Sequence, residues 1–193
     1  MSSVYDPGLQ RVLAAASTLF GRNGFQRTSM ADIAREAGIA RATLYLRFSE
    51  KRAVFEALAA ALVDEALKAA EAAWNGAAPL SKNLAETMLA KELMFFRMLR
   101  NSPHGAEMMD LQAEISPTQA QRLSDGYGAL LARRGHEAAE GGADLSAFGG
   151  ADGFAAFLVK SGSGLKYEMH TEEELREGVV RLSKVAARAA GRN

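Results

Sequence analysis

The stretch Thr28–Lys51, TSMADIAREAGIARATLYLRFSEK, decides the fold of this chain. Met30, Ile33, Ala34 and Ala37 fall at i, i+3, i+4 and i+7, which gives a helix one apolar face. Thr28 and Ser29 supply hydroxyl oxygens where a helix start needs acceptors for its free N–H groups. Gly38 stops that helix, because glycine enters the left-handed cap conformation without steric cost. A second helix follows over about Ala40–Arg47. Ile39, Leu44 and Phe48 turn inward and leave Arg41, Ala42, Thr43, Tyr45, Leu46 and Arg47 for the outer face. Two short helices on a tight turn, the second basic, hydroxylated and aromatic on its outside, make a helix-turn-helix suited to a DNA major groove.

Outward from that core the chain reads as helix throughout. Leu9, Val12, Leu13, Ala16, Leu19 and Phe20 form the inward stripe of a helix over Pro7–Arg22, which Asn23-Gly24 ends. With the two short helices it makes a three-helix head. Ser49 is the expected N-cap of a linking helix that runs to about Trp74, with Val54, Leu58, Ala61, Leu62 and Ala66 buried. The break at residues 75–79, NGAAP, is the expected hinge. This places the head at residues 1–52, with the linking helix over 49–74, and the body at 53–193.

The body opens with Ser81 as an expected N-cap and an unusually apolar helix to about Arg100. Ser102-Pro103 restarts the chain with an expected cap and a proline at the first helical position, leading to a short helix bearing Met108, Met109 and Leu111. Ser116-Pro-Thr-Gln119 is a capping box, and the helix after it is expected to end at Gly135, with a loop over residues 136–144. Leu145–Met169 and Glu172–Ala190 read as the final helices, the last opened by the capping box Thr171-x-x-Glu174. The fold class is all-α, with about nine helices, no convincing strand and no internal repeat.

Formal net charge is zero, but it is unevenly spread. Residues 1–55 hold eight basic residues against four acidic ones, leaving +4 on the head and −4 on the rest. A basic head on an acidic body orients a molecule toward phosphate. The absence of cysteine removes disulfides, thiolate metal sites and thiol nucleophiles. The N-terminus, MSSVYDPGLQ, lacks the basic and apolar regions of a secretory signal, and no apolar run reaches membrane-spanning length. A soluble, cytoplasmic protein without membrane contact is expected.

The run TSMADIAREAGIARATLYLRFSEKRAVFEAL resembles the TetR family of transcriptional regulators. The resemblance rests on the Thr-rich start, Ile33-Ala34 before Ala37-Gly38, Thr43-Leu44-Tyr45, Phe48, Lys51 and Phe55, with LFGRNGF upstream at Leu19–Phe25. It covers about the first quarter of the chain closely; the rest agrees in length and helical character. One departure stands out: Ala40 occupies a position where the family commonly has Ser, so the recognition helix lacks its usual cap oxygen, typically worth ~0.5–2 kcal/mol. The resemblance implies that Thr43, Tyr45 and Lys51 touch backbone or bases. Thr28 and Ser29, at a helix start, are further candidates for phosphate, and Arg41 and Arg47 for guanine. Ala42 lies on the same face, and Leu46 suits a thymine methyl.

The resemblance also implies a small hydrophobic effector in the body. Trp74, Met88, Phe95, Phe96, Met98, Met108, Met109, Tyr127 and Phe154 are the candidate ligand-binding residues, since flexible methionines and aromatic rings adapt to apolar ligands. The same stripe also reads as plain core. Phe148, Phe157, Leu158, Leu175, Val179, Leu182 and Ala186 on the last two helices are candidates for a homodimer interface, with intramolecular packing as the alternative. His104, His136 and His170 match no metal spacing, and Ser161-Gly-Ser-Gly164 lacks the spacing of a nucleophile elbow. No cofactor and no catalytic residue is expected. The expected function is a dimeric repressor that leaves operator DNA on binding its effector. The alternatives are an activator, an effector-independent DNA binder, or a helical ligand-binding or enzyme domain with a vestigial head.

Overall fold

The computed structural model describes residues 6–192. The first five residues of the predicted head and Asn193 of the predicted body lie outside that range. Among the described residues the chain is all-α, with nine α-helices and no strand. They are α1 (Pro7–Asn23), α2 (Met30–Glu36), α3 (Arg41–Tyr45), α4 (Lys51–Ala72), α5 (Leu80–Arg100), α6 (Gly105–Ile115), α7 (Pro117–Glu140), α8 (Ala151–Glu168) and α9 (Glu172–Ala189).

These helices sort into two compact units. The first holds the chain up to Val63 together with Arg97–Ala120. Val12, Ala16, Phe20, Ile33, Leu44 and Val54 are completely buried in its core. The rings of Phe20, Phe25 and Phe55 meet there with centroids 5.3–5.8 Å apart, and Met108 and Ile115 of α6 close the same cluster. Each of the larger apolar side chains among them contributes roughly 1.5–3 kcal/mol on leaving water. The second unit holds Asp64–Phe96 and the chain from Gln121 onward. Its core gathers Leu84, Met88, Leu131, Phe154, Leu158, Leu175 and Val179.

Several predicted boundaries move, each for a visible reason. Helix α7 runs through Gly135 to Glu140. Gly135 is buried there, and a Cβ on it would come within 3.2 Å of the Ala151 Cβ, so the glycine serves close packing rather than termination. Arg134 also pairs with Glu137 at 2.8 Å within the added turn. The stop comes at Gly142, with φ +92°. The expected helix Leu145–Met169 is broken at its start. A 3-10 turn at Ser146–Phe148 leads into Gly149 and Gly150, with φ +80° and +94°, and α8 begins only after them.

Ser81 is not a cap, because α5 already begins at Leu80. The buried Asn83 side chain holds the preceding loop instead, accepting from the Asn75 N–H at 2.8 Å and donating to the Ala78 carbonyl at 3.0 Å. Ser102 likewise caps no helix: its hydroxyl donates to the Gly21 carbonyl at 2.6 Å, and α6 starts at Gly105.

Candidate nucleic-acid interface

The short helices are held by specific local bonds. At the start of α2, the Ser29 hydroxyl oxygen accepts from the Asp32 N–H at 3.2 Å, and the Asp32 carboxylate accepts from the Ser29 N–H at 3.1 Å. The Ser29 hydroxyl also donates to Asp32 at 2.6 Å, as does the Arg35 guanidinium at 2.6 Å. These bonds, the Ser29 hydroxyl foremost, hold the Asp32 carboxyl down at about 2. Gly38 turns the chain at φ +65°. The α3 N-cap, Ala40, is extended and makes no side-chain cap bond, as the alanine requires.

Helix α3 is anchored by one residue and free on the rest. Leu44 is fully buried, while Arg41, Ala42, Thr43 and Arg47 are exposed, Tyr45 is 53% exposed and Leu46 88%. Leu46 sets an aliphatic side chain almost wholly in water, beside the exposed Tyr45 ring. Arg41 has no ion-pair or hydrogen-bond partner among the described residues. Arg47 forms an ion pair with Asp6, whose carboxylate also caps α1 through the Gly8 N–H at 2.8 Å. The bond from Arg47 is the leading cause of a lowered Asp6 pKa.

Two predicted contacts sit differently. Thr28 is buried, and its hydroxyl donates to the Gly24 carbonyl at 2.8 Å, so its side chain is spent inside the fold. Lys51 is half-buried over the Phe25 ring, 4.3 Å from its centre, and donates to the Phe25 and Gln26 carbonyls at 2.6 and 3.3 Å. Desolvation lowers its pKa, with the nearby Glu107 acting against that shift.

Glu107 belongs to a clasp on the same turn that sequence reasoning missed. Its carboxylate accepts from the Phe25 N–H at 3.1 Å and lies 2.8 Å from His104 Nδ1, while Arg27 donates toward His104 Nε2 at 2.9 Å. No spacing signals this, because residues 25 and 107 meet only once the fold is made.

With that geometry in place, similarity to known proteins becomes informative. Residues 12–58 match the family model of bacterial regulatory proteins, tetR family. Over those residues the chain is similar to TetR-family regulators. The TetR match spans α1 to the start of α4, which are the elements that frame the exposed face of α3. An uncharacterised HTH-type transcriptional regulator of Bacillus subtilis, YfiR, is 39% identical over 57 residues, covering 30% of this chain and 28% of that protein. The fatty acid degradation regulator FadR from Bacillus halodurans shares the fold with TM-score 0.67 and 19% identity, over 94% of this chain and 96% of that one. The SmeT–triclosan complex does so with TM-score 0.66 and 16% identity, over 94% and 91%. The matched model is one of bacterial regulatory proteins.

Beyond the TetR head, the structure divides the candidate ligand set between the two cores. Met88, Phe96, Tyr127 and Phe154 are buried in the second unit with Trp74 packed against them, whereas Met108 is buried in the first with Met98 beside it. Phe95 is buried and Met109 half-buried, outside both clusters. Helix α5 contributes residues to both units, so a stripe continuous in sequence is shared between two cores. Trp74 instead borders an open cavity of about 620 Å³ with Asn83 and Glu137.

The dimer candidates divide as well. Leu158, Leu175, Val179 and Ala186 are completely buried within their own unit, because the stripe of α9 faces α8 and the core. Phe157 and Val185 remain exposed on these helices, and Phe148 and Leu182 are half-buried. Among the described residues no group of three or more His, Cys, Asp or Glu could hold a metal ion, and no helix is long and apolar enough to cross a membrane.

Proposed function

We propose that the chain is a cytoplasmic, homodimeric, sequence-specific repressor that a small effector releases from its operator. The observation that carries this is α3: one buried leucine pins the helix while Arg41, Ala42, Thr43, Tyr45, Leu46 and Arg47 face solvent. Arg41, Thr43 and Tyr45 read bases or grip backbone, and Leu46 packs on a thymine methyl. Ser29, Arg47 and Lys51 line the phosphate side, with the N-terminus of α2 supplying N–H groups. Thr28 contributes by fixing the turn rather than by touching DNA.

Dimerisation follows from reach. One five-residue helix reads too few bases to find a site, and two of them spaced about 34–36 Å apart read successive major-groove faces. The exposed Phe157 and Val185 are available to a second copy. The bound small molecule in the SmeT–triclosan complex, a protein of this fold, supports an effector here. Helix α4 is the continuous link from the head, and effector binding favours a state in which it carries the two recognition helices out of register. A tenfold loss of operator affinity requires about 1.4 kcal/mol of preference for that state.

The test is a gel shift on the DNA upstream of the protein's own gene, in a salt series. A saturable, salt-sensitive complex is expected. Tyr45→Ala should weaken it by about 1–3 kcal/mol with no change in Tm or dimer mass. Normal binding by that variant would mean that α3 is not the reading helix.

A further inference from the structure

The core of the second unit contains polar groups that its packing does not use. Thr87 and Lys91 lie one turn apart on the same face of α5, and Tyr127 lies on α7; all three are 4% exposed or less. Lys91 Nζ sits 2.6 Å from Glu92, 3.4 Å from the Ser163 hydroxyl of α8, and 4.7 Å from the centre of the Tyr127 ring. The hydroxyls of Thr87 and Tyr127 have no hydrogen-bond partner. Three helices thus bring polar side chains to one place inside an otherwise apolar cluster. Natural cores rarely leave buried hydroxyls unmatched, because each forfeits its bonds to water.

We propose that this seam receives the polar end of the effector, and that this end is an uncharged hydroxyl, alcoholic or phenolic, on a hydrocarbon body. The inference rests on the effector reading above and adds to it the chemical class of the ligand. Charge balance selects an uncharged group. Lys91 and Glu92 already offset each other, so a further carboxylate or ammonium would be buried without a counter-charge. Reciprocity selects a hydroxyl. Thr87 and Tyr127 can each donate and accept, and a group that does both satisfies either one. The surrounding side chains suit the hydrocarbon body.

The experiment uses the full chain and two matched probe sets: para-butylphenol, para-butylbenzoate, para-butylbenzylammonium and butylbenzene, then hexanol, hexanoate, hexylammonium and hexane. Binding is followed by calorimetry and by thermal shift. The hydroxyl member of at least one set should bind about tenfold more tightly than its hydrocarbon. Tyr127→Phe and Thr87→Val should remove that advantage while leaving hydrocarbon affinity unchanged. The same variants should raise the Tm of the ligand-free protein by about 2–4 °C, since each deletes an unmatched buried hydroxyl. A purely structural role for these hydroxyls predicts the opposite shift.

Tighter binding of the carboxylate or the ammonium overturns the proposal, as does an advantage that survives in Tyr127→Phe. Equal binding of hydroxyl and hydrocarbon also overturns it, and leaves the effector reading standing. If none of the eight compounds binds, the proposal is overturned. The effector reading falls with it only if a broad compound library also fails to release the protein from operator DNA.

Discussion

Leu44 and Leu46 sit two residues apart and have opposite fates. Leu44 is completely buried and Leu46 is 88% exposed. Leu44→Ala should therefore cost about 2–5 kcal/mol by opening a cavity, whereas Leu46→Ala should stay within about 0.5 kcal/mol by thermal unfolding and weaken operator binding instead. Asp32 carries a second prediction. Its folded-state pKa of about 2 lies below the ordinary 3.8, so the stability it confers is complete above about pH 4 and drains away as pH falls toward 2. Asp32→Asn should flatten the acid limb of a Tm-versus-pH curve across that window and leave its neutral part parallel to the wild type. At this scale the outward face of α3 was legible from helical period alone. The inward turn of Thr28 was not, because its acceptors are carbonyls whose positions exist only after α1 and its glycine stop have folded.

Elements whose ends depend on local chemistry were legible too, and those whose ends depend on neighbours were not. The capping box at Thr171 and the N-cap at Ser29 are formed as the sequence implies, whereas the box expected at Ser116 is not, since its buried hydroxyl has no hydrogen-bond partner. Gly135 misleads because the same residue type ends helices and admits close packing, and only the presence of Ala151 distinguishes the two uses. At Gly149 and Gly150 the reverse holds. A Cβ there would meet nothing within 4 Å, yet both have φ well into the positive region. Gly149→Ala should thus destabilise by about 1–2 kcal/mol through backbone strain alone, read as a lower denaturant midpoint with an unchanged slope. Loss of more than that would mean that the segment carries packing which the open space around it does not suggest.

At the scale of the whole molecule, the TetR resemblance carried the head and the all-α class, and the charge split was consistent with both. It could not show that the first unit recruits Arg97–Ala120 from far along the chain, nor that Met98 and Met108 belong to a different core from Met88. Those facts depend on tertiary contacts with no local signature. Residues 1–63 expressed alone should lack a cooperative thermal transition, since Met108 and Ile115 would be missing from the core and Glu107 from the Phe25 turn. A sharp, reversible melt of that fragment by circular dichroism would show that α6 is dispensable.

That out-and-back path bears on how such regulators can be rewired. A chimaera spliced once, behind the recognition helix, would inherit a turn gripped by somebody else's glutamate and histidine. Transplanting the sensor of one protein onto the operator specificity of another therefore calls for two junctions, so that the donor of the DNA-reading part also lends its sixth helix.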